Sequence, residues 1–546
     1  MSSRVISAAG IALLLLLPMQ SAAQEGTPTT HWNIASTGTA EFAAGVAVGA
    51  DSRPVVVDTV CGTFGAAGCR ARAVKYVSDT GVVFWTFTDI AGGLSALAEA
   101  AGVAVGSDGN PVMVSTECDS AGLNCLIVAV KINGTTGLQI WRNTSPAAAT
   151  SSFAKAVTVG VDGHAVVAGG ICTEPGTGDC DGNVIKFNGS TGAIMWNVTR
   201  TSTYQMLFGV TAITNATNQN NVIVTGVDCA ATTQNCNFTT AQLSAATGAL
   251  VGTAATFNSN EPLDYMSELG WGVRIGTDAL PVVTGVSCLA ATGCDFRTIK
   301  YTGIGLAGTS FNVTYNSTGA NSDAAFGGGI AIGGDNLPVI VGASCTTDYP
   351  NCVGRIRKLT AAGVQLWNVT YGAATTVLQG VTTGPDGNPV VAGYECSGAN
   401  CFSRVSRQVL QYITATGSPR TLTINGGQAV ADGLTLTFNS VTAAGSTTFH
   451  TSNTGFPTAP PALPLGRTPL GGRYFRVATT ATITGNTTVC LNYTNLSPTG
   501  TETNYRIYRL SGTTWTNTTI TSRDTTANWL CGSNTLGNGI YAITIN

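Results

Sequence analysis

The sequence predicts an all-β chain: a ring of seven small sheets, a seven-bladed β-propeller closed by an N-terminal strand, followed by a C-terminal β-sandwich. Three observations in these 546 residues predict it. A four-strand unit recurs seven times, each copy carries one pair of cysteines, and a Trp segment missing from the last copy stands alone near the N-terminus.

The unit is clearest where Gly102 to Gly106 forms an apolar strand and Asp108, Gly109, Asn110 and Pro111 form a turn. A Val-rich strand then ends in Cys118, a loop leads to Cys125, and strands carrying Lys131 and Trp141 flank a turn at Thr136 and Gly137. The first Val of the opening strand recurs at Val46, Val103, Val157, Val210, Val273 and Val381, with Ile330 in its place in the sixth copy. Apolar residues alternate at period two beside Gly or Ala, as in strands rather than helices. Asp-Gly at Asp108, Asp162 and Asp386 supplies hairpin turns, and Pro54, Pro111, Pro281, Pro338 and Pro389 fit strand starts. A four-stranded sheet this small must bury its faces against similar neighbours, and a ring of such sheets does so.

Closure follows from the ends. The seventh copy has a third strand near Val405 to Tyr412 and a Thr-Gly turn at Thr416 and Gly417, then loses its Trp strand. His31, Trp32, Asn33 and Ile34 look like the fourth strands at Trp196 and Trp367, so they are expected to complete the last blade and remove its exposed edge.

The first residues read as a cleaved signal peptide over 1–23: Arg4, an apolar run from Ile11 to Leu17, and the small residues Ser21, Ala22 and Ala23. That run is too short to cross a bilayer, and no later stretch approaches the length needed for a transmembrane segment. The propeller is expected over 24–417 and the sandwich over 418–546, where new alternating segments begin. These include Thr421 to Ile424, Leu434 to Phe438, Tyr474 to Val477, Val489 to Tyr493, Tyr505 to Leu510 and Ile540 to Ile545.

Sixteen cysteines in an exported chain imply an oxidising compartment, so the chain is read as secreted or held at the cell surface. One pair per unit, always flanking the connection between strands two and three, predicts Cys61 with Cys69, Cys118 with Cys125, Cys172 with Cys180 and Cys229 with Cys236. The same pattern predicts Cys288 with Cys294, Cys345 with Cys352 and Cys396 with Cys401. Cys490 and Cys531 remain for a bridge between two distant strands of the C-terminal region. Each short loop closure contributes on the order of 2 kcal/mol in the chain-entropy view. Variable spacing and only three His argue against metal binding, and no Cys-x-x-Cys supports redox catalysis.

Net charge is −3 and charged residues make up 10% of the chain, with no concentrated basic patch, so nucleic acid is excluded as a partner. Glu117, Asp228 and Glu395 each precede the first cysteine of their unit and form a candidate ligand face with the stapled loops; solvated loop carboxylates are the plainer reading. The longest interval between units holds Glu261, Asp264 and Tyr265, a further candidate contact for a carbohydrate or protein. Two carboxylates there about 5–9 Å apart would suit a glycosidase. Sequons such as Asn133, Asn197 and Asn312 are too common in so Asn- and Thr-rich a chain to carry weight.

The unit resembles the repeats of secreted bacterial β-propellers of the SBBP kind. Its Thr-Gly-x-x-x-Trp portion, at Thr80 to Trp85, Thr136 to Trp141 and Thr191 to Trp196, is similar to the Trp-docking motif of pyrroloquinoline quinone propellers, with Gly363 to Trp367 keeping part of it. That resemblance implies Trp packed between adjacent blades. Quinone dehydrogenases of that family have eight blades and often a vicinal disulfide, whereas this chain has seven units and no adjacent cysteines; the packing role is carried over, and no cofactor is expected. The C-terminal part resembles a module at the ends of large bacterial extracellular proteins through Val489, Cys490, Tyr493, Tyr505, Trp515, Asp524, Asn528, Cys531 and Gly532. The expected function is a binding scaffold for a protein or polysaccharide. The alternatives are a quinone-dependent oxidoreductase, a polysaccharide-active hydrolase or a purely structural surface component, because a fold alone implies no activity.

Overall fold

The computed structural model describes residues 25–545 apart from 39, 63–67, 90–96, 120–121, 147–150, 174–178, 202–203, 214–220, 232–233, 259–267, 290–292, 318–321, 325–328, 347–350, 373–374, 399, 430, 454–459, 465, 497 and 535–536. The expected signal peptide lies outside the described residues, as do Glu261, Asp264 and Tyr265.

The chain folds as a β-propeller. Units one to five each form an antiparallel group of four strands; in unit one these are Glu41–Val48, Pro54–Val60, Arg70–Tyr76 and Val83–Thr88. In unit six the innermost position is shared by two short strands, Ser322–Ala324 and Ile330–Ile332, both paired with Pro338–Cys345. All five prolines after the first turns begin strands, where a missing N–H breaks no ladder. Gly109, Gly163 and Gly387 take φ of 75°, 74° and 77° in the Asp-Gly turns.

The opening strands pack side by side from unit one to unit seven, and Thr376–Thr383 of unit seven returns to Glu41–Val48 of unit one. The N-terminal strand Glu25–Ala35 completes unit seven, lying antiparallel to Asn400–Thr414 with Trp32 opposite Arg407 and Ala35 opposite Arg404. The ring thus ends without a free strand edge at its seam.

Apolar cores lie between adjacent sheets. Val57, Ala73 and Trp85 of unit one pack with Val103, Met113 and Val130 of unit two. A polar lock repeats at the rim of these cores. Lys75 Nζ and Trp85 Nε1 both donate to the Gly134 carbonyl of the next unit, at 2.8 and 3.0 Å. Lys131 and Trp141 do the same to Gly189, Lys186 and Trp196 to Ala245, and Arg407 and Trp32 to Ser78. Each cation also pairs with the Asp of its own first turn, for example Lys131 with Asp108 at 2.7 Å and Lys186 with Asp162 at 2.8 Å. The ammonium is therefore buried with its charge compensated, the condition for tolerating it there. Units four and five depart from the pattern: unit four has Gln242 and Gly252 at the Lys and Trp positions, and unit five keeps Lys300 but sets Phe311 opposite it. At the seam the carbonyl is replaced by a side chain: Lys358 and Trp367 donate to the Glu25 carboxylate.

The C-terminal region adds two further antiparallel sheets. One runs Arg420–Ile424, Leu434–Ala443, Thr482–Asn492, Trp529–Asn534 and Thr519–Asp524; the other contains Gly445–Ser452, Tyr474–Thr479, Gly539–Ile545, Arg506–Ser511 and Thr514–Asn517. Leu422, Phe438 and Val489 of the first share one core with Phe449, Phe475 and Ile543 of the second. The second sheet is continuous with unit seven, because Gln411 to Thr414 pair with Gly445 to Thr448. The Thr416 and Gly417 pair accordingly does not form the expected turn: Gly417 is extended and bridges Val441. No fourth strand follows there in the chain, so the third strand runs on and is paired by the new sheet instead.

This region docks on the turn end of the ring. Asn388 Nδ2 donates to the Phe449 carbonyl at 2.8 Å, the Thr451 amide to Asp386 at 3.0 Å, and Arg473 Nη1 to Ser52 Oγ at 2.8 Å. The opposite end carries the cysteines.

Candidate functional site

All sixteen cysteines are bonded. Seven bridges join strands two and three of one unit at 5 to 8 residues' separation, with Cys172 opposite Cys180 and Cys345 opposite Cys352 across the ladder. Cys490 and Cys531 lie 41 residues apart but directly opposite each other on neighbouring strands of one sheet, so this bridge joins strands distant only in sequence.

The acids beside the first cysteines are engaged by Arg or Gln side chains and do not converge. Arg142 Nη2 lies 2.7 Å from both Glu117 oxygens and its Nε lies 3.2 Å from Asp89. Burial raises the Glu117 pKa, and the Arg142 guanidinium opposes that rise. Glu395 pairs with Arg404 at 3.1 Å, and Asp228 accepts from Gln205 at 3.1 Å. None of the three lines the axial opening. These carboxylates fix strand ends, as the related pair of Arg72 with Asp58 and Glu41 does in unit one.

The axis is lined differently. Six inner strands carry a β-bulge at one shared position, between Ala43 and Gly45, Ala100 and Gly102, Ala154 and Ala156, Leu207 and Gly209, Gly270 and Gly272, and Leu378 and Gly380. The extra residues are Ala44, Ala101, Lys155, Phe208, Trp271 and Gln379. A bulged residue has no partner across the ladder, and its side chain is re-aimed. All six line one axial cavity of about 230 Å³, together with Glu99. Glu99 sits opposite Thr116, two residues from Cys118, which places this cavity toward the cysteine end.

Deeper along the axis the space narrows to about 30 Å³ between Gly45, Gly102, Gly209 and Gly380, with Arg274 alongside. The glycines are required by close approach: a Cβ on Gly380 would stand 3.0 Å from the Gly45 Cα. This explains the Gly that precedes the first Val in most units.

The cavity wall combines an aromatic pair, Phe208 and Trp271, with ring centroids 4.3 Å apart, the Lys155 ammonium, the Gln379 amide and small Ala side chains. Among the described residues Lys155 and Arg274 form no ion pair, unlike the lysines of the inter-unit lock. Burial lowers the Arg274 pKa, and among the described residues no carboxylate offsets it. Glu99 is the one carboxylate among the described residues lining these two spaces.

Sequence reasoning missed this set. The usable signal was the residue two before the first Val of each unit, which changes from Ala to Lys, Phe, Trp and Gln while its neighbours stay Gly and Val.

No known protein family matches the sequence, and no curated protein does either. Among solved structures, the chain is similar to a protein of unknown function from Bacteroides caccae (13% identity, TM-score 0.33, 57% of this chain and 96% of that one). It is also similar to the quinohemoprotein alcohol dehydrogenase from Comamonas testosteroni (11%, 0.37, 69% and 76%). A third is the β-propeller domain of the Trilobed protease from Pyrococcus furiosus (6%, 0.38, 69% and 94%). Similarity this low gives no argument about activity, and the ring closure described above rests on strand pairing alone.

Proposed function

We propose that this chain is an exported, seven-bladed binding protein that takes a glycan or protein ligand at the stapled-loop end of its axis. The C-terminal region, read as a β-sandwich over 418–546, serves attachment or assembly. One observation carries the reading: bulges at a shared register turn Lys155, Phe208, Trp271 and Gln379 into a single cavity at the cysteine end, while the C-terminal region occupies the other end. Rigid hairpins around a recessed pocket with a few polar groups are a common form for a recognition site. Eight disulfides suit an oxidising environment outside the cytosol.

The test is a glycan array and a protein pull-down with the full mature chain. Capture of a ligand recovered chemically unchanged, and lost in Trp271→Ala, is the expected result. Release of a cleaved or oxidised product would overturn binding in favour of an enzyme, and capture unaffected by Trp271→Ala would move the site away from the axis.

A further inference from the structure

We infer that the axial cavity binds a carboxylate-bearing sugar residue, with Lys155 holding the carboxylate and the Trp271 ring, backed by the buried Phe208, taking the apolar face of the pyranose. This rests on the binding reading above and names its ligand.

Lys155 is half-buried on the cavity wall, where an ammonium keeps water until an anionic ligand replaces it. The same chain shows how it compensates buried lysines: each unit lysine of the lock has its own Asp within 2.5 to 2.8 Å. Lys155 is left outside that scheme, at a position reserved by a bulge, and Arg274 adds a second positive charge farther down the axis. A ligand carboxylate is the counter-ion that this arrangement fits.

Its body is flat and partly apolar. Aromatic faces bind ligands with one apolar and one polar side, and the Gln379 amide supplies both a donor and an acceptor for hydroxyl groups. Glu99, exposed at the mouth, accepts from hydroxyls and disfavours a dianion such as a phosphate monoester. A volume of about 230 Å³ is below the roughly 300–1,000 Å³ of pockets for drug-sized molecules. It admits one ring, with the rest of a chain left outside among the stapled loops.

Calorimetric titration of the full mature chain with sodium galacturonate, trigalacturonate, galacturonate methyl ester and galactose tests this. Binding of the first two, with the ester and galactose weaker by about tenfold or more as expected for loss of a charge-assisted contact, supports it. Trigalacturonate binding more tightly than the monomer identifies a polymer segment as the source; equal binding identifies the free sugar. Lys155→Ala is expected to lose at least about tenfold in affinity, and Lys155→Arg to keep most of it, both melting as the parent does. Glu395→Gln, on the periphery, is expected to leave affinity unchanged.

Equal affinity for acid and methyl ester, no response to Lys155→Ala, or no galacturonate binding at all would overturn the inference. In those cases the array and pull-down decide the broader reading separately: a ligand captured there leaves the binding protein standing without this chemistry, and none removes both.

Discussion

The two ends of the ring are built on opposite principles. At the turn end most units are alike, repeating an Asp, a Lys or Arg and a Trp that lock onto the next unit. Around the axis toward the cysteine end, one bulged position differs in four of six units: Ala twice, then Lys, Phe, Trp and Gln. Stability and recognition are thus placed at different ends of the same strands. Identical residues serve identical interfaces, and a bulge lets one side chain per unit vary without disturbing the ladder.

The sharpest way to break the comparison is at the seam. Arg407 is 2% exposed, donates to Asp386 and to the Ser78 carbonyl, and sits where five of the other units carry Lys. Arg407→Ala leaves Asp386 buried without its cation and is expected to cost about 3–5 kcal/mol, read as a lower denaturant midpoint. The same substitution at Lys155 is expected to change stability little, and equal losses would erase the distinction between lock and site.

Acidification probes the docked C-terminal region. His450 is buried, with its ring 5.2 Å from that of His31 and with Arg407, Arg476 and Asp386 around it. Burial first, then Arg407, pushes its pKa down to about 3 from the ordinary 6.5, and burial lowers that of His31 too. The unfolded chain therefore takes up protons first. Stability from His450 is complete above about pH 6.5 and is lost as pH falls toward about 3, at up to about 1.4 kcal/mol per pH unit. Unfolding followed at pH 7 and pH 5 is expected to show a steeper loss in the parent than in His450→Gln, and parallel slopes would refute it.

Gly192 tests the Trp lock. Its φ is 75°, and a Cβ there would lie 2.8 Å from the Trp141 ring. Gly192→Ala is expected to destabilise by about 1–3 kcal/mol through backbone strain and overpacking. Gly163→Ala, with a similar φ and open space, isolates the backbone part and is expected to cost less.

The smallest effect is expected at the rim. Glu395→Gln removes a half-exposed pair with Arg404 and should shift stability by under about 1 kcal/mol. A larger shift would mean that the acids beside the cysteines do more than fix strand ends.

Much of the fold was legible because it repeats. Period-two apolar runs, five prolines at strand starts and Asp-Gly turns each recur at one register, and the Trp32 segment could be assigned because a repeat lacked its last strand. The C-terminal region was read in part: Tyr474 to Val477 and Ile540 to Ile545 were found, while Gly445–Ser452 was not, because its Thr-rich pattern lacks apolar alternation. Glu117, Asp228 and Glu395 were chosen for their place beside cysteines, but sequence does not show that an Arg or Gln from another strand of the same unit reaches each of them.

By itself the sequence determined the unit, its staples and the strand that closes the ring, since these depend on local spacing and on one missing segment. Only the tertiary structure decided that Lys155, Phe208, Trp271 and Gln379 meet. The physical reason is that a bulge shifts alternation by one residue, and only at the axis do strands from distant units converge closely enough for those shifted side chains to share a cavity.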